Sequence, residues 1–320
     1  MKIAVLDDYF NIARELADWG SLGEQAQLTV FQAHHADLPA RAAALEPFDV
    51  VVAMRERTPF PAALIEKLPN LRLLVTTGMR NNSIDMQACR ERGITVCGAP
   101  GCPEGAGATT ELAWALILAL SKRLPHEQSA MRAGLWQTGM PVLLAGKRLG
   151  LVGLGNLGQR AAAVGQALGM EAQAWSPNLT DERAAQAGVR KVGKDELFST
   201  SDVISVHLVL SERTAGVVDA AAIAAMKPQA LFVNTSRAGL VDHAALVRAL
   251  KEGRIAGAGL DVFPTEPLPA DDEVRSLPNV VLTPHLGYVS HENFRDFYRN
   301  AVQAIAAWAA GKPVRVLNES

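Results

Sequence analysis

Three ionisable residues stand at or just after the ends of apolar runs in the second half of the chain. Arg237 follows Leu231-Phe-Val-Asn-Thr-Ser236, Glu266 follows Gly259-Leu-Asp261-Val-Phe-Pro-Thr265, and His285 follows Val281-Leu-Thr-Pro284. Singly, each reads as a solvated loop residue. As a set they are complementary. A guanidinium clamps a carboxylate through two parallel hydrogen bonds and polarises a carbonyl beside it. An imidazole exchanges a proton near neutral pH, and an adjacent carboxylate orients the ring and favours its protonated form. Such a trio suits the reduction of a 2-keto acid.

A second motif supplies what that chemistry lacks. Leu149-Gly-Leu-Val-Gly153-Leu-Gly155-Asn156-Leu157-Gly158 is G-x-G-x-x-G at the end of an apolar run and the start of a helical one. Gly153 permits a tight turn, Gly155 lets backbone approach a pyrophosphate, and Gly158 lets the helix sit close to its strand. The helix N-terminus adds N–H groups and a positive dipole. The fingerprint also calls for an acid some twenty residues on, to bind the adenosine ribose and repel a 2′-phosphate. Here Glu171-Ala-Gln-Ala-Trp175-Ser176-Pro177-Asn178 puts Ser176 at that place. NADP is then not repelled, and Ser176, Asn178 and Thr180 can hydrogen-bond a phosphate. No Arg or Lys precedes Arg183 to complete a dedicated NADP site, so the cofactor reads as NAD or NADP.

These residues need strand ends to hold them, and the chain supplies the strands. Short β-branched or leucine-rich runs alternate with alanine-rich helical stretches, which is the pattern of parallel α/β construction. In the first hundred residues strands are expected near Lys2–Leu6, Leu28–Phe31, Val50–Ala53, Leu73–Thr76 and Thr95–Cys97, with helices such as Pro61–Leu68 and Ile84–Arg92, the latter capped by Ser83. Four glycines and two prolines in the eleven residues Cys97–Gly107 mark a domain boundary. A long apolar helix over about Thr109–Ser121 follows, then a polar stretch through Trp136 to Gly146. Six further strands are expected near Leu149–Val152, Glu171–Trp175, Val203–His207, Ala230–Asn234, Ile255–Leu260 and Val280–Thr283, which suit a doubly wound sheet. A closing helix, about His291–Ala310, is expected to return to the first domain. The domains are thus 1–102 with 291–320, and 103–290.

Composition narrows the classes. At 320 residues and 49% hydrophobic content the chain can bury two cores. Lys plus Arg is 31 and Asp plus Glu is 33, a net charge of −2, without the basic excess of a nucleic-acid binder. The longest apolar run, Leu112–Leu120, is far short of the ~18 residues of a membrane span. The N-terminus lacks the pattern of a secretory signal, so a cytoplasmic location is expected. Cys89, Cys97 and Cys102 form no C-x-x-C pair, and His34-His35 and His126 have no partner pattern for metal ligation, so no metal site is expected. Trp114 lies on an apolar helical face and reads as core.

Four linked motifs resemble those of the D-isomer-specific 2-hydroxyacid dehydrogenases: Gly153-x-Gly155-x-x-Gly158, Asn234-Thr-Ser-Arg237-Ala-Gly-Leu-Val-Asp242, Gly259-Leu-Asp-Val-Phe-Pro-Thr-Glu266-Pro-Leu and Thr283-Pro-His285-Leu-Gly287-Tyr. Their order and spacing match over about residues 105–290. The resemblance implies a Rossmann-type nucleotide domain inserted into a smaller flavodoxin-like α/β substrate domain made of both chain ends, with a cleft between them. It also implies a homodimer through the nucleotide domain, with Trp136 and its surroundings at the interface. Arg237 would be the substrate clamp, His285 the acid/base and Glu266 its partner. Asp261 would meet the nicotinamide carboxamide, and Thr235, Gly287 and the backbone near His207-Leu208 would line the cofactor.

Three departures from the family pattern stand out. The usual His-x-Pro-Leu appears as His207-Leu-Val209-Leu210, and Ser176 replaces the acid. The family's glycine loop, which offers backbone N–H groups to the substrate carboxylate, matches Thr77-Gly78-Met79-Arg80-Asn81, where Met79 and Arg80 replace smaller residues. Arg55 and Arg57 in Met54-Arg-Glu-Arg-Thr58 resemble the corresponding segment of phosphoglycerate dehydrogenases. Arg55, Arg57 or Arg80 would accommodate a second anionic group such as phosphate. Two alternatives accompany a small 2-keto or 2-hydroxy acid as substrate. One is a formate dehydrogenase, against which Glu266 argues because that branch carries glutamine there. The other is a dinucleotide-sensing corepressor.

Overall fold

Val50–Ala53 and Leu231–Asn234 are apolar almost without interruption, and every residue of both is buried, as in parallel strands covered on two faces. The computed structural model describes residues 1–35 and 37–319. The chain divides into two units, Met1–Gly105 with Ser290–Ser320 and Ala106–Val289.

In the first unit, β1 (Lys2–Val5), β2 (Gln27–Val30), β3 (Val50–Ala53), β4 (Leu73–Thr77) and β5 (Thr95–Ala99) form one parallel sheet in the order β2-β1-β3-β4-β5. That is the flavodoxin-like order, whose ligand crevice lies at the carboxyl ends of the strands. The closing helix, His291–Ala309, packs on β4 and β5. It buries Phe294, Phe297, Tyr298, Ala301, Val302 and Ile305, which recur at helical spacing along one face.

Two local expectations are corrected here. The helix after β4 is Met86–Glu91, and its cap is Asp85, whose Oδ1 accepts the Ala88 N–H at 2.9 Å. Ser83 is no cap, because Phe60 N–H donates to the Ser83 carbonyl and the Asp85 N–H to that of Phe60, which holds residues 83–84 extended. The glycine- and proline-rich segment is also shorter than expected. β5 runs through Gly98 to Ala99, with the Gly98 N–H donated to the Arg315 carbonyl at 2.9 Å, and the long helix begins at Gly105. Gly105 stands in a helix because its bare Cα lies against Asn293, leaving no room for a side chain.

The second unit holds β6 (Arg148–Val152), β7 (Glu171–Trp175), β8 (Arg190–Lys191), β9 (Val203–Val206), β10 (Leu231–Asn234), β11 (Gly257–Leu260) and β12 (Val280–Leu282). All pair in parallel, in the order β12-β11-β10-β9-β6-β7-β8. Counted from β6, this is the doubly wound Rossmann order with one strand added, and its switch point lies between β6 and β9. The fold is α/β in both units. β8 escapes a hydrophobic reading because both its residues are exposed and charged. The glycines of β11 serve packing: a Cβ on Gly259 would meet Leu116 Cβ at 2.9 Å, so the helix Gly105–Ser121 can rest close on the sheet. Trp114 on that helix is 5% exposed and donates its indole N–H to the Ala161 carbonyl, as befits a core residue.

Candidate active site

At the switch point the chain leaves β6 through Gly153, whose φ of +106° lies in the region open to glycine. A Cβ there would meet the backbone of His207 and Leu208 at 2.9–3.0 Å, so the glycine turn and the end of β9 are in contact. A Cβ on Gly158 would overlap the Gly153 carbonyl oxygen. Gly155 differs, for nothing lies within 4 Å of where its Cβ would be. It precedes the helix Asn156–Ala167 as an N-cap without a side-chain hydrogen bond, leaving the first N–H groups open to an anion. At the end of β10 the Thr235 hydroxyl is buried with no protein partner among the described residues. An open glycine, an uncapped helix start and an orphaned hydroxyl at adjacent strand ends fit a dinucleotide.

Beyond β7, Ser176 is half-buried and the Thr180 oxygen accepts the Arg183 N–H at 3.3 Å as the cap of the helix Asp181–Gln186. His207 is turned inward under the glycine turn. Its Nε2 lies 2.9 Å from Ser205 Oγ, its Nδ1 has no partner, and burial pushes its pKa down to about 4, which keeps the ring neutral.

β10, β11 and the segment after β12 deliver the ionisable trio. Asn234 shapes the turn that carries Arg237: its Oδ1 accepts the Ser236 N–H at 3.0 Å and its Nδ2 donates to the Arg237 carbonyl at 3.1 Å. The Ser236 hydroxyl donates to the Leu208 carbonyl at 2.5 Å, joining the ends of β9 and β10. His285 has φ +53°, an uncommon backbone state for a non-glycine residue. Its Nδ1 lies 2.6 Å from Glu266 Oε2, and no hydrogen bond engages its Nε2 among the described residues. The Tyr288 ring meets the imidazole edge-on at 5.5 Å. Glu266 Oε1 accepts the Phe263 N–H at 2.8 Å. Burial opposes ionisation of Glu266, but the His285 hydrogen bond and charge, the Phe263 N–H and the Arg237 charge outweigh it, holding the carboxyl below its ordinary value.

Asp261 is fully buried and gathers the loop that carries His285. Its Oδ1 accepts from the Thr283 hydroxyl at 2.6 Å and the Leu286 N–H at 2.7 Å, and its Oδ2 from the Gly287 N–H at 2.9 Å. Its carbonyl accepts the His285 N–H at 2.9 Å. Burial raises the carboxyl pKa against those hydrogen bonds. The family resemblance implies that Asp261 meets the cofactor, and its contacts within the chain also make it the anchor of the histidine loop. Thr283 and Asn234, which complete these turns, open two of the family-like motifs but were not singled out as site residues from the sequence.

In the first unit the loops after β3 and β4 are tied together. The Arg55 N–H donates to Thr77 Oγ1 at 2.8 Å, and Asn81 Nδ2 donates to the Arg55 carbonyl at 2.7 Å and to Thr76 Oγ1 at 2.9 Å. Gly78 has φ +97°, and a Cβ on it would overlap the Arg55 guanidinium. The Gly78 N–H, expected to face substrate, donates instead to the Ala99 carbonyl at 2.5 Å, because the residue bridges to the end of β5. The amides of Met79 and Arg80 meet no protein acceptor among the described residues. Arg57 turns elsewhere: its Nη1 donates to the Asp7 carbonyl at 2.8 Å, and its guanidinium lies 4.6 Å over the Tyr9 ring. The Thr58 hydroxyl donates to Asp7 Oδ2 at 2.6 Å. Asp7 is 2% exposed and lies in no motif that would single it out.

Residues 114–287 match the family model for D-isomer specific 2-hydroxyacid dehydrogenase, NAD binding domain. The chain is 32% identical to the hydroxypyruvate reductase of Blautia hydrogenotrophica over 332 residues, covering 100% of both. It is 36% identical over 266 residues to the D-3-phosphoglycerate dehydrogenase of Archaeoglobus fulgidus, covering 82% of this chain and 50% of that one, so it spans half the length of that relative. The crystal structure of a phosphoglycerate oxidoreductase from Vibrio cholerae superposes with a TM-score of 0.91 at 37% identity, covering 97% of this chain and 99% of the other.

Proposed function

The chain belongs to the D-isomer specific 2-hydroxyacid dehydrogenase family, and we propose that it interconverts a small 2-keto acid and its D-2-hydroxy acid. The observation that carries this reading is the His285–Glu266 pair at 2.6 Å, with the imidazole Nε2 left open. Bound at the Gly153–Gly158 loop, a nicotinamide dinucleotide supplies the hydride to the keto carbon or takes it back. Arg237 holds the substrate carboxylate with its fork of N–H donors and draws electron density toward the keto oxygen. His285 gives a proton from Nε2 to that oxygen as it becomes an alcohol, and recovers it in the reverse direction. Glu266 keeps Nδ1 protonated and the ring oriented, and stays ionised because the imidazole and Arg237 charges favour its anion. Asp261 holds the backbone from which His285 projects.

Ser176 in place of an acid supports acceptance of NADP as well as NAD. A homodimer through the second unit is supported by a run of exposed apolar side chains: Leu135, Trp136, Met140 and Leu143 are each more than half exposed, Met140 at 88%. Such a run costs free energy in water unless covered.

The test is oxidation of NADH and NADPH by the purified protein with glyoxylate, pyruvate, hydroxypyruvate and 3-phosphohydroxypyruvate, with His285→Ala alongside. The variant is expected to lose ~10²–10⁴ in turnover, the usual scale of general acid–base catalysis. Full activity in the variant removes His285 from the mechanism. Nucleotide binding without turnover of any acid points to the sensing role.

A further inference from the structure

Two groups already described hold His285: Glu266 at Nδ1, 2.6 Å away, and the Asp261 carbonyl at the backbone N–H. Together they leave one freedom. A ring fixed at its Cα and at Nδ1 can still swing about the line between those atoms, and the swing carries Nε2 with it. The ring of Tyr288 meets the imidazole edge-on, with centroids 5.5 Å apart and planes at 79°, inside the range in which aromatic pairs attract. We propose that Tyr288 is a positioning residue whose ring sets the tilt of the His285 imidazole and so aims Nε2 at the oxygen that takes its proton. This rests on the reductase reading above.

The turn that carries the tyrosine is fixed from two sides. Asp261 takes the Leu286 and Gly287 N–H groups, and the Gly287 carbonyl accepts the Thr109 hydroxyl at 2.6 Å from the helix Gly105–Ser121. The Val289 N–H closes the turn on the Leu286 carbonyl at 2.8 Å. A Cβ on Gly287 would stand 3.2 Å from Asp261 Oδ2 and 3.4 Å from Thr109 Cγ2, so the turn lies tight between the two. The Tyr288 hydroxyl is buried, so the ring is enclosed at its far end as well. One short segment thus delivers both the imidazole and the ring against which it rests. Aim matters because a misplacement of about 1 Å at a reacting group costs on the order of a hundredfold in rate. The contact with His285 uses the ring and not the hydroxyl, so phenylalanine should serve as well as tyrosine, and an aliphatic side chain of similar bulk should not.

The experiment compares Tyr288→Leu and Tyr288→Phe with wild type in four readings. These are the single-turnover rate of NADH oxidation at saturating keto acid, KM for that acid, NADH affinity by fluorescence titration, and the downfield proton NMR signal of the His285 Nδ1–H, assigned by its absence from His285→Ala. Tyr288→Leu should lower the single-turnover rate by about three- to tenfold, the weight of an edge-on aromatic pair, and broaden the proton signal. Its KM and NADH affinity should stay within about twofold of wild type, as for loss of an interaction made at the chemical step. Tyr288→Phe should match wild type in all four. An unchanged rate in Tyr288→Leu, a KM that rises while the rate holds, or a rate that falls together with NADH affinity overturns the positioning role, and so does a Tyr288→Phe as slow as Tyr288→Leu. Should Tyr288→Leu fail to fold, Thr109→Val, which removes the hydroxyl that holds Gly287, takes its place with the same expected and refuting results. If wild type turns over no acid, the reductase reading falls and the proton signal decides alone. Broadened in Tyr288→Leu and kept in Tyr288→Phe, it upholds the ring contact; unchanged in Tyr288→Leu, it overturns that too.

Discussion

The buried neutral imidazole of His207 makes stability depend on pH in a way that one substitution can isolate. Burial lowers its pKa from 6.5 to about 4, so between those values the unfolded chain binds a proton that the folded chain refuses. The contribution is fully present above the unfolded value and is lost as pH falls toward the folded one. The loss is about 2 kcal/mol by pH 5 and about 3 kcal/mol by pH 4, from the two binding polynomials. His207→Gln places an amide where Nε2 now meets Ser205 Oγ and cannot titrate in this range. The stability difference between wild type and variant should therefore shrink by about 2 kcal/mol on going from pH 7 to pH 5, other titrating groups cancelling between the two. Urea denaturation read through hydrogen exchange in β6 and β9 confines the measurement to the unit that holds the ring. Parallel loss of stability in the two proteins over that range would refute the reasoning, since the imidazole would then not be held neutral by its surroundings.

Gly158→Ala forces a methyl against the Gly153 carbonyl, so the glycine turn must shift. Nucleotide affinity, followed by fluorescence titration of NADH, should fall at least about tenfold, and unchanged affinity would place the dinucleotide elsewhere. Arg237→Lys keeps the charge and loses the fork; KM for the keto acid should rise and turnover should drop in steady-state assays. Asp261→Asn leaves one of the N–H or O–H donors around that buried carboxylate unpaired, at a cost of about 1–3 kcal/mol, and loosens the His285 loop. Turnover should fall more than KM rises, and an unfolding curve like that of wild type would remove Asp261 from its anchoring role.

The α/β class, the doubly wound sheet of the second unit and the closing helix were legible because each rests on local patterns, whereas the flavodoxin-like order of the first sheet was implied only by the family resemblance. Apolar runs of strand length, helical spacing such as Phe294, Phe297 and Tyr298, and glycines at a strand-to-helix turn act over a few residues and survive in one dimension. The two-residue strand β8 was not legible, since Arg190 and Lys191 are exposed and leave no apolar trace. The start of the helix at Met86 was misread as well. Asp85 and Ser83 are both good caps, and the choice fell to Phe60, more than twenty residues away, whose pairing holds Ser83 and Ile84 extended.

The candidate site divides along the same line. Residue type and position after a strand are what single out Arg237, Glu266 and His285 as candidates for one chemistry, and Gly153, Gly155 and Gly158 as a candidate phosphate-type turn. Tertiary structure alone decided who orients whom. It turned Asp261 inward to hold the histidine loop, used the Gly78 N–H on Ala99, and took Arg57 to Asp7 and Tyr9 while leaving Arg80 in water. A side chain's type sets which bonds it can make, and its neighbours across the fold set which of those bonds are already taken.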